Sequence, residues 1–381
     1  MRRRRLLTIS HSYVVTLNRR FASELARAGG DDWEVTAVAP TSFKGDLRHI
    51  DLERDSHESS SLRGVPAHLT KHLHLFTYGR ALAQILREDW DMIHMWEEPY
   101  VAAGAQIAYL ARPGVPLVFS TFQNIRKRYP SPFRQFERFV LRRSSGWIAF
   151  GETIADALAR GPGYRDLPMT VIPPGVDTEK FRPNPAARAR VRAHLGWHEA
   201  GPPVVGYLGR LISAKGVTLL CAALEQAREP WRALFVGGGD LEREIRAWGA
   251  RFGDRVRVVS AVPHDEVPDY LNAMDVLCAP SQTTPGWREQ FGRMLVEAFA
   301  CGVPVIASKS GEIPHVVGSA GLLVAERDES AWAQAIRQVI VDESYRAELS
   351  VKGRERAAAR FAWAVVARDA LRFFGTVAKS T

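Results

Sequence analysis

The stretch from Pro280 to Ser308, PSQTTPGWREQFGRMLVEAFACGVPVIAS, constrains the fold more than any other part of the chain. It begins at the end of the apolar run DVLCAPS, which predicts a buried strand, and its middle has the apolar spacing of a helix. Gly302 lies where a helix would end, Pro304 prevents its continuation, and Val303–Ala307 is again apolar. The pattern predicts strand, polar loop, helix and strand, which is half of a parallel α/β repeat.

Two carboxylates occupy this unit at positions suited to ligand binding. Glu289 lies in the loop after the first strand, and Glu297 lies inside the helix. Open parallel sheets bind ligands at the carboxyl ends of their strands. We therefore expect both carboxylates to accept hydrogen bonds from the hydroxyls of a polyol. The alternative is an ordinary buried helix with two incidental carboxylates.

This unit resembles the Glu-x7-Glu motif of family 4, a large family of retaining glycosyltransferases with the GT-B fold. The family commonly shows E-G-F-G-x-x-x-x-E-A-x-A-x-G-x-P-V, and this chain has E-Q-F-G-R-M-L-V-E-A-F-A-C-G-V-P-V. The resemblance implies an α/β protein of GT-B type, with two doubly wound, Rossmann-like parallel-sheet domains facing a deep cleft. It also implies retaining transfer of a sugar from a UDP- or GDP-linked donor.

A second motif lies between Gly209 and Gly216, where the chain matches the family pattern G-R-L-x-x-x-K-G after an apolar run. The resemblance implies that Arg210 and Lys215 hold the donor diphosphate. A guanidinium grips phosphate oxygens with a planar fork and an ammonium adds a point charge, so both can stabilise the negative charge of the leaving group. The alternative is a surface Arg and Lys in a connecting loop.

The resemblance also implies the other donor-side roles. Glu297 would accept the ribose hydroxyls, and Glu289 would hold the donor sugar together with nearby backbone amides. The remaining donor-binding candidates are Gly209, Phe291, Gly292, Gly238 and Val262. We assign no Asp-x-Asp motif of this sequence to a metal site. Positive side chains and helix N-termini can replace a cation at a diphosphate, so we expect neither a metal nor another cofactor.

The acceptor side should lie in the first domain, where the chain departs from the family pattern. Relatives often carry a Gly-Gly pair in the first loop, but this chain has HSYVVTLNRR there, which makes His11 and Tyr13 candidates. His11 could equally be a loop histidine with a local hydrogen bond. His94 ends a strand that resembles the family's Asp-x-x-His element, which makes it a candidate for contact with the acceptor or the donor sugar. Trp96, Glu97 and Glu98 are weaker candidates, and the favoured alternative for each is a solvated loop residue.

Another departure concerns a loop in which many relatives have a histidine. This chain offers Gln123 and Asn124 after the strand Val115–Thr121. Both amides can bind sugar hydroxyls, but neither can shuttle a proton. The alternative function is therefore a non-catalytic protein of the same fold that binds a sugar nucleotide.

The domain boundary is expected where Pro and Gly are dense, in the stretch Val171–Asp177, which resembles the family's V-I-P-N-G-V-D linker. We place the first domain at residues 1–178 and the second at 179–361. The resemblance implies that the terminal helix, residues 362–381, packs back on the first domain.

Composition limits the number of domains, the cellular compartment and the class of partner that we expect. The chain has 381 residues, 46% of them hydrophobic, which suggests two domains with packed cores. Its three cysteines lie in apolar segments, and neither a signal peptide nor an 18-residue apolar run is evident, so we expect a cytoplasmic protein. The net charge of +9 allows an anionic partner, but no nucleic-acid-binding motif accompanies it, so no nucleic acid is expected.

One segment, Arg126–Arg143, carries seven basic residues against one Glu, interleaved with aromatic residues. A basic amphipathic helix can lie on an anionic membrane, so the protein could attach peripherally to the inner face of a membrane. The alternative is a helix whose Phe stripe packs on the first domain while its arginines are solvated. The expected partners are thus the nucleotide-sugar donor, a saccharide or lipid-linked acceptor, and an anionic membrane surface.

Overall fold

The computed structural model describes residues 2–44, 49–197 and 200–380. The chain divides into two compact units, one formed by Met1–Gly175 with Trp363–Thr381 and the other by Val176–Ala362. Each unit is built on one large parallel sheet flanked by helices. The prediction of two doubly wound parallel α/β domains is confirmed. Within the described residues, every helix is too short or too polar to cross a bilayer.

The first unit contains a seven-stranded parallel sheet in the order β11-β10-β9-β8-β1-β2-β5 and two small antiparallel pairs, β3-β4 and β6-β7. Its strands are β1 (Arg4–Ile9), β2 (Trp33–Pro40), β3 (Ser42–Lys44), β4 (His49–Asp51), β5 (Ser61–Val65), β6 (Ala67–His68), β7 (Thr77–Tyr78), β8 (Met92–Met95), β9 (Leu117–Thr121), β10 (Gly146–Ala149) and β11 (Met169–Val171). Its helices before the second unit are α1 (Thr16–Gly29), α2 (Ala81–Leu86), α3 (Ala102–Leu110), α4 (Phe133–Arg143) and α5 (Glu152–Leu158).

The second unit contains a six-stranded parallel sheet in the order β14-β13-β12-β15-β16-β17. Its strands are β12 (Val204–Leu208), β13 (Arg232–Val236), β14 (Val256–Val259), β15 (Val276–Ala279), β16 (Val305–Ser308) and β17 (Leu322–Val324). Its helices are α6 (Pro185–His194), α7 (Val217–Gln226), α8 (Glu242–Ala250), α9 (Val267–Asn272), α10 (Arg293–Ala300), α11 (Ile313–Val317), α12 (Glu329–Val341) and α13 (Glu343–Arg356).

Both sheets are covered on two faces, which explains the continuous apolar runs of their central strands. Leu6 of β1 packs in one core layer while its neighbour Leu7 packs in the other, because successive strand residues point to opposite faces. In the second unit Val204 and Val205 of β12 divide in the same way. Alternation therefore operates here between two apolar layers rather than between core and solvent.

The last helix, α14 (Trp363–Ser380), follows the second unit but belongs to the first. Its residues Val366, Ala370 and Phe374 are buried in a layer with Phe21 and Leu25 of α1. The first unit's core is thus built from both ends of the described chain.

The strand order gives each sheet one point at which the chain reverses its direction of winding. In the first unit β1 lies between β2 and β8, and in the second β12 lies between β13 and β15. Loops that follow the two strands at such a point diverge and leave room for a ligand at the carboxyl end of the sheet. The loops after β1 and β8, and those after β12 and β15, are therefore where functional side chains are to be sought.

Candidate functional site

In the second unit, the loop after β12 runs directly beside the loop after β13. The Gly209 amide donates to the Val236 carbonyl over 3.0 Å, and a Cβ at Gly237 would lie 2.0 Å from the Gly209 carbonyl oxygen. Glycine at 237 is therefore required by this close approach. Arg210 projects from the loop as an exposed side chain, and no described residue forms an ion pair or hydrogen bond with its guanidinium. That guanidinium is available to an anion.

The same loop reaches across the reversal point of the sheet through Lys215. Its Nζ lies 2.5 Å from Oε2 of Glu289, and the Ser281 hydroxyl donates to the same carboxylate oxygen over 2.9 Å. Both charged side chains are largely buried, and the ammonium also lies 5.2 Å from the centre of the Trp287 ring. A buried ion pair thus joins the G-R-L-x-x-x-K-G motif, through Lys215, to the Glu-x7-Glu motif, through Glu289.

The contact between these two loops depends on Gly216, which follows Lys215 and precedes α7. Its φ of +68° is favourable only for glycine, and an added Cβ would lie 1.8 Å from the carbonyl oxygen of Pro280. The glycine of the G-R-L-x-x-x-K-G pattern therefore allows the loop after β12 to lie against the end of β15.

Glu289 itself is fixed from its backbone side. Its carbonyl accepts a hydrogen bond from the Glu312 amide over 3.0 Å, and a Cβ at Gly311 would lie 2.0 Å from that carbonyl oxygen. Gly292, at φ +81°, then starts α10, and a Cβ there would lie 3.7 Å from Cγ of Glu289. The Lys215–Glu289 pair therefore lies close to the N-terminus of α10, whose free amides carry partial positive charge.

Glu297 lies within α10 and is 5% exposed. Burial raises the pKa of its carboxyl to about 7, and the positive charges of Arg293 and Lys180 oppose that shift only in part. Near the same charges lies His264, whose Nε2 is buried without a hydrogen-bond partner among the described residues. Burial, with Lys180 and Arg293 nearby, lowers the pKa of His264 to about 4, so its ring is neutral at pH 7.

The remaining donor-side candidates occupy different surroundings. Phe291 packs in the core against Phe361, so only its backbone could contact a ligand. Val262 and Gly238 are half-buried, in the loops that follow β14 and β13. These loops follow the two strands on one side of the reversal point, next to the loop that carries Arg210.

In the first unit, the equivalent position is occupied by a histidine paired with a carboxylate. Nδ1 of His11, after β1, lies 2.7 Å from Oε2 of Glu97, after β8. The Glu97 carboxylate also accepts from the His11 amide over 2.6 Å and from the Tyr78 hydroxyl over 2.7 Å. Glu97 is 2% exposed. The interpretation of Glu97 as a solvated loop residue is therefore wrong.

The His11 ring keeps part of its surface open. Its side chain is 28% exposed, between the rings of Phe43 and Phe76. Burial lowers the pKa of this imidazole, but the charge and hydrogen bond of Glu97 outweigh that effect and raise it above its ordinary value. With Nδ1 held by a carboxylate, Nε2 is the ring atom left to meet a ligand.

His94 and Tyr13 lie elsewhere than expected for acceptor contacts. Both are fully buried and share one partner, the Thr8 hydroxyl, at 2.9 Å from Nδ1 of His94 and from the Tyr13 hydroxyl. Nε2 of His94 pairs with the Ser120 hydroxyl at 2.8 Å. Burial lowers the pKa of His94 to about 3. Both of its ring nitrogens are therefore used inside the core of the unit.

The loops after β8 and β9 hold two further polar groups. Glu98 accepts from the Thr121 hydroxyl over 2.6 Å and the Phe122 amide over 2.7 Å, and burial raises the pKa of its carboxyl to about 7. Gln123 is 6% exposed, yet neither polar atom of its amide has a hydrogen-bond partner among the described residues. Asn124 is similarly buried but has partners. A buried amide without partners is costly, so Gln123 is suited to binding a ligand.

Comparison with known proteins places the two units in one family. The model of the glycosyl transferases group 1 matches residues 202–342, and that of Glycosyltransferase Family 4 matches residues 14–180. The D-inositol 3-phosphate glycosyltransferase of Xylanimonas cellulosilytica is 32% identical over 314 residues, which cover 76% of this chain and 73% of that protein.

A mannosyltransferase of Mycolicibacterium smegmatis is 36% identical over 201 residues. It is described as a GDP-mannose-dependent alpha-(1-6)-phosphatidylinositol monomannoside mannosyltransferase. The match covers 50% of this chain and 52% of that protein, so the chain spans about half the length of this relative.

Solved structures agree with the fold. The HepE protein of Anabaena, solved with UDP and glucose, has a TM-score of 0.73 at 21% identity, over 98% of this chain and 100% of that chain. A glycosyltransferase from Rickettsia africae has a TM-score of 0.76 at 17% identity, over 100% of both chains. The chain belongs to the group 1 glycosyltransferases of family 4, which have the GT-B fold.

Proposed function

We propose that this protein transfers a sugar from a UDP- or GDP-linked donor to an acceptor hydroxyl, with retention of configuration. The observation that carries the proposal is the Lys215–Glu289 ion pair, which joins two motifs 74 residues apart at the N-terminus of α10. Cations and free amides together form a site for an anion such as a diphosphate.

In this proposal the second unit binds the donor. Arg210 grips the diphosphate with its free guanidinium. Lys215 has three N–H donors and gives one to Glu289, so it can serve the phosphate at the same time. Glu297 accepts the ribose hydroxyls, and Glu289 holds the donor sugar with the backbone amides at Phe291 and Gly292. Positive charge already supplied by side chains and helix amides supports a reaction without a metal ion.

The chemical step follows from where charge develops. As the glycosidic bond breaks, the diphosphate gains negative charge, which Arg210 and Lys215 stabilise more strongly than they stabilise the intact donor. The departing phosphate oxygen then takes the proton of the attacking hydroxyl, on the face from which the leaving group departs. His11 and Gln123 in the first unit would bind the acceptor, a saccharide or a lipid-linked sugar.

The test is a screen of UDP- and GDP-sugars with soluble and lipid-linked acceptors, in which released nucleotide and glycosylated product are both measured, with and without a chelator. We expect transfer that survives chelation and a product whose anomeric configuration, determined by NMR, matches the donor. Inversion would rule out retention. Nucleotide-sugar binding without transfer or hydrolysis would favour a non-catalytic binding protein.

A further inference from the structure

The first unit presents three leucines to solvent within seven residues. Leu69, Leu73 and Leu75 are 62%, 47% and 42% exposed, although large apolar side chains are normally buried. Leu69 also has a φ of +55°, a left-handed conformation that leucine rarely adopts. The segment 69–75 connects β6 to β7 and therefore holds its leucines outward on an irregular loop.

This loop lies beside the basic segment that precedes and includes α4. The His74 ring lies 5.6 Å from the Phe133 ring at the start of α4 and 5.7 Å from the Tyr100 ring. Tyr100 in turn stacks on Tyr129 at 4.0 Å. The leucine loop and the basic segment are therefore joined by aromatic contacts and lie side by side on the unit.

The cations of the basic segment face solvent, and Arg126 and Arg138 also lie within electrostatic reach of the Glu137 carboxylate. Six of them are exposed, and none has a side-chain ion pair or hydrogen bond within the described residues: Arg126, Lys127, Arg128, Arg134, Arg138 and Arg142. The helix α4 buries Val140 and Leu141, while Phe133, Phe136 and Phe139 are only half-buried. The C-terminal end of α4 is therefore packed on the unit, whereas the aromatic side chains nearer its N-terminus remain partly exposed.

We propose that this leucine–arginine surface, Leu69–Leu75 with the cations of residues 126–142, docks on an anionic lipid bilayer. Exposed leucines beside exposed cations suit the two parts of such a membrane, its apolar interior and its anionic headgroups. Apolar side chains enter the acyl boundary while arginines meet the phosphate headgroups. A soluble polyanion would use the cations but would gain nothing from exposed leucines. The inference concerns binding only and does not rest on the proposed transfer reaction.

The experiment is co-sedimentation of the full chain with vesicles of phosphatidylcholine, with or without an equal amount of phosphatidylglycerol, at low and high salt. We expect binding that requires phosphatidylglycerol and weakens with salt. The variant Arg134→Glu/Arg138→Glu/Arg142→Glu should lower the partition coefficient about a hundredfold, because each arginine near the surface contributes about fivefold.

A charge-matched control separates this surface from net charge. The variant Arg228→Glu/Arg243→Glu/Arg368→Glu changes three exposed cations elsewhere in the chain by the same amount. It should bind vesicles roughly ten times or more as tightly as the α4 variant, because its three substituted arginines lie away from the proposed membrane-facing surface. Equal loss in the two variants would overturn the proposal, since net charge alone would then explain binding.

A second set of variants tests the contribution of the exposed leucines to vesicle binding. Leu69→Ser/Leu73→Ser/Leu75→Ser should weaken vesicle binding by roughly tenfold or more, whereas Val341→Ser/Val351→Ser, which also removes exposed apolar side chains, should not. Vesicle binding unchanged by the leucine variant, together with equally tight binding to heparin, would identify a general polyanion surface and overturn the proposal. Thermal unfolding of every variant checks that the fold is intact.

Discussion

Nζ of Lys215 lies 2.5 Å from Oε2 of Glu289, and both side chains are largely buried. A buried ion pair is costly to break from one side, because the partner left behind keeps an uncompensated charge. The pair therefore does more than present two polar groups to a ligand. It also determines the relative position of the loops after β12 and β15.

A double-mutant cycle should reveal this coupling. Lys215→Met and Glu289→Gln should each lower the unfolding free energy of the protein, and the double variant should lose less than the sum, with a coupling of roughly 1–3 kcal/mol. Urea denaturation measures it. The exposed pair Arg251–Glu225 is the control, where coupling should stay below about 1 kcal/mol. Equal coupling in the two cycles would contradict the assignment.

Arg210 gives the clearest separation of activity from stability. Because its side chain is exposed and has no partner among the described residues, Arg210→Ala should leave the melting temperature unchanged. Turnover should fall about 10²–10³-fold, as for loss of a preorganised charge donor. Arg243→Ala, at another exposed arginine, should alter neither quantity. A variant at position 210 that keeps half of its activity would show that Arg210 does not meet the diphosphate.

Two histidines of the first unit should titrate very differently. The pKa of His11 is raised from 6.5 by Glu97, after burial has lowered it, whereas burial alone lowers the pKa of His94 to about 3. NMR of ring-labelled histidine should therefore show His11 changing charge above pH 6.5 and His94 remaining neutral down to about pH 4. Glu97→Gln should lower the midpoint of His11 and leave His94 unaffected.

The raised pKa of His11 also has a stability signature. A base whose pKa is higher in the folded state stabilises the fold below its unfolded pKa, and that contribution disappears as the pH rises through the folded pKa. The unfolding free energy lost in His11→Gln should thus be greatest below pH 6.5 and should shrink at higher pH. A difference that grows with pH would contradict the raised pKa of His11.

Glu297 should make nucleotide affinity depend on pH. In the proposed donor site its carboxylate accepts the ribose hydroxyls, and its pKa of about 7 means that this carboxylate forms only as the pH rises through that value. Affinity for UDP or GDP should therefore rise by about tenfold across this range relative to Glu297→Gln, which cannot ionise. Calorimetry on both proteins at each pH measures the affinities, and the comparison cancels the effect of the nucleotide's own titration, which is the same for both proteins. If affinity varied with pH in the same way for both proteins, Glu297 would not be the residue that binds the ribose.

Gly216 should be among the least replaceable residues of the second unit. Gly216→Ala combines a left-handed backbone with a Cβ at 1.8 Å from the Pro280 carbonyl oxygen, so it should cost roughly 2–4 kcal/mol of unfolding free energy. Gly286→Ala is the control, because its Cβ would meet nothing within 4 Å and its φ is not in the left-handed range. Equal stability of the two variants would contradict this account.

Sequence patterns predicted best what depends on local spacing. The loop position of Glu289, the helical position of Glu297 and the end of α10 near Gly302 all follow from apolar periodicity and one glycine. The alternation of strands and helices likewise predicted two parallel sheets. These features need no knowledge of which distant strands become neighbours.

The burial of Glu97 and His94 depends on which distant strands become neighbours, and the spacing of residues in the sequence does not contain that information. Glu97 is buried because β8 lies beside β1, which brings it against His11, 86 residues away. His94 is used in the core because Thr8 and Ser120 lie on the two strands flanking its own.

The return of α14 to the first unit affects the order in which the protein is made. During synthesis the first unit emerges with the apolar faces of Phe21 and Leu25 uncovered, since the residues that bury them follow the whole of the second unit. The second unit is continuous in sequence and has its own core from the moment it leaves the ribosome. Translation therefore starts the first unit early and completes it last, and until α14 is made the apolar layer that includes Phe21 and Leu25 lacks the residues of α14 that cover it.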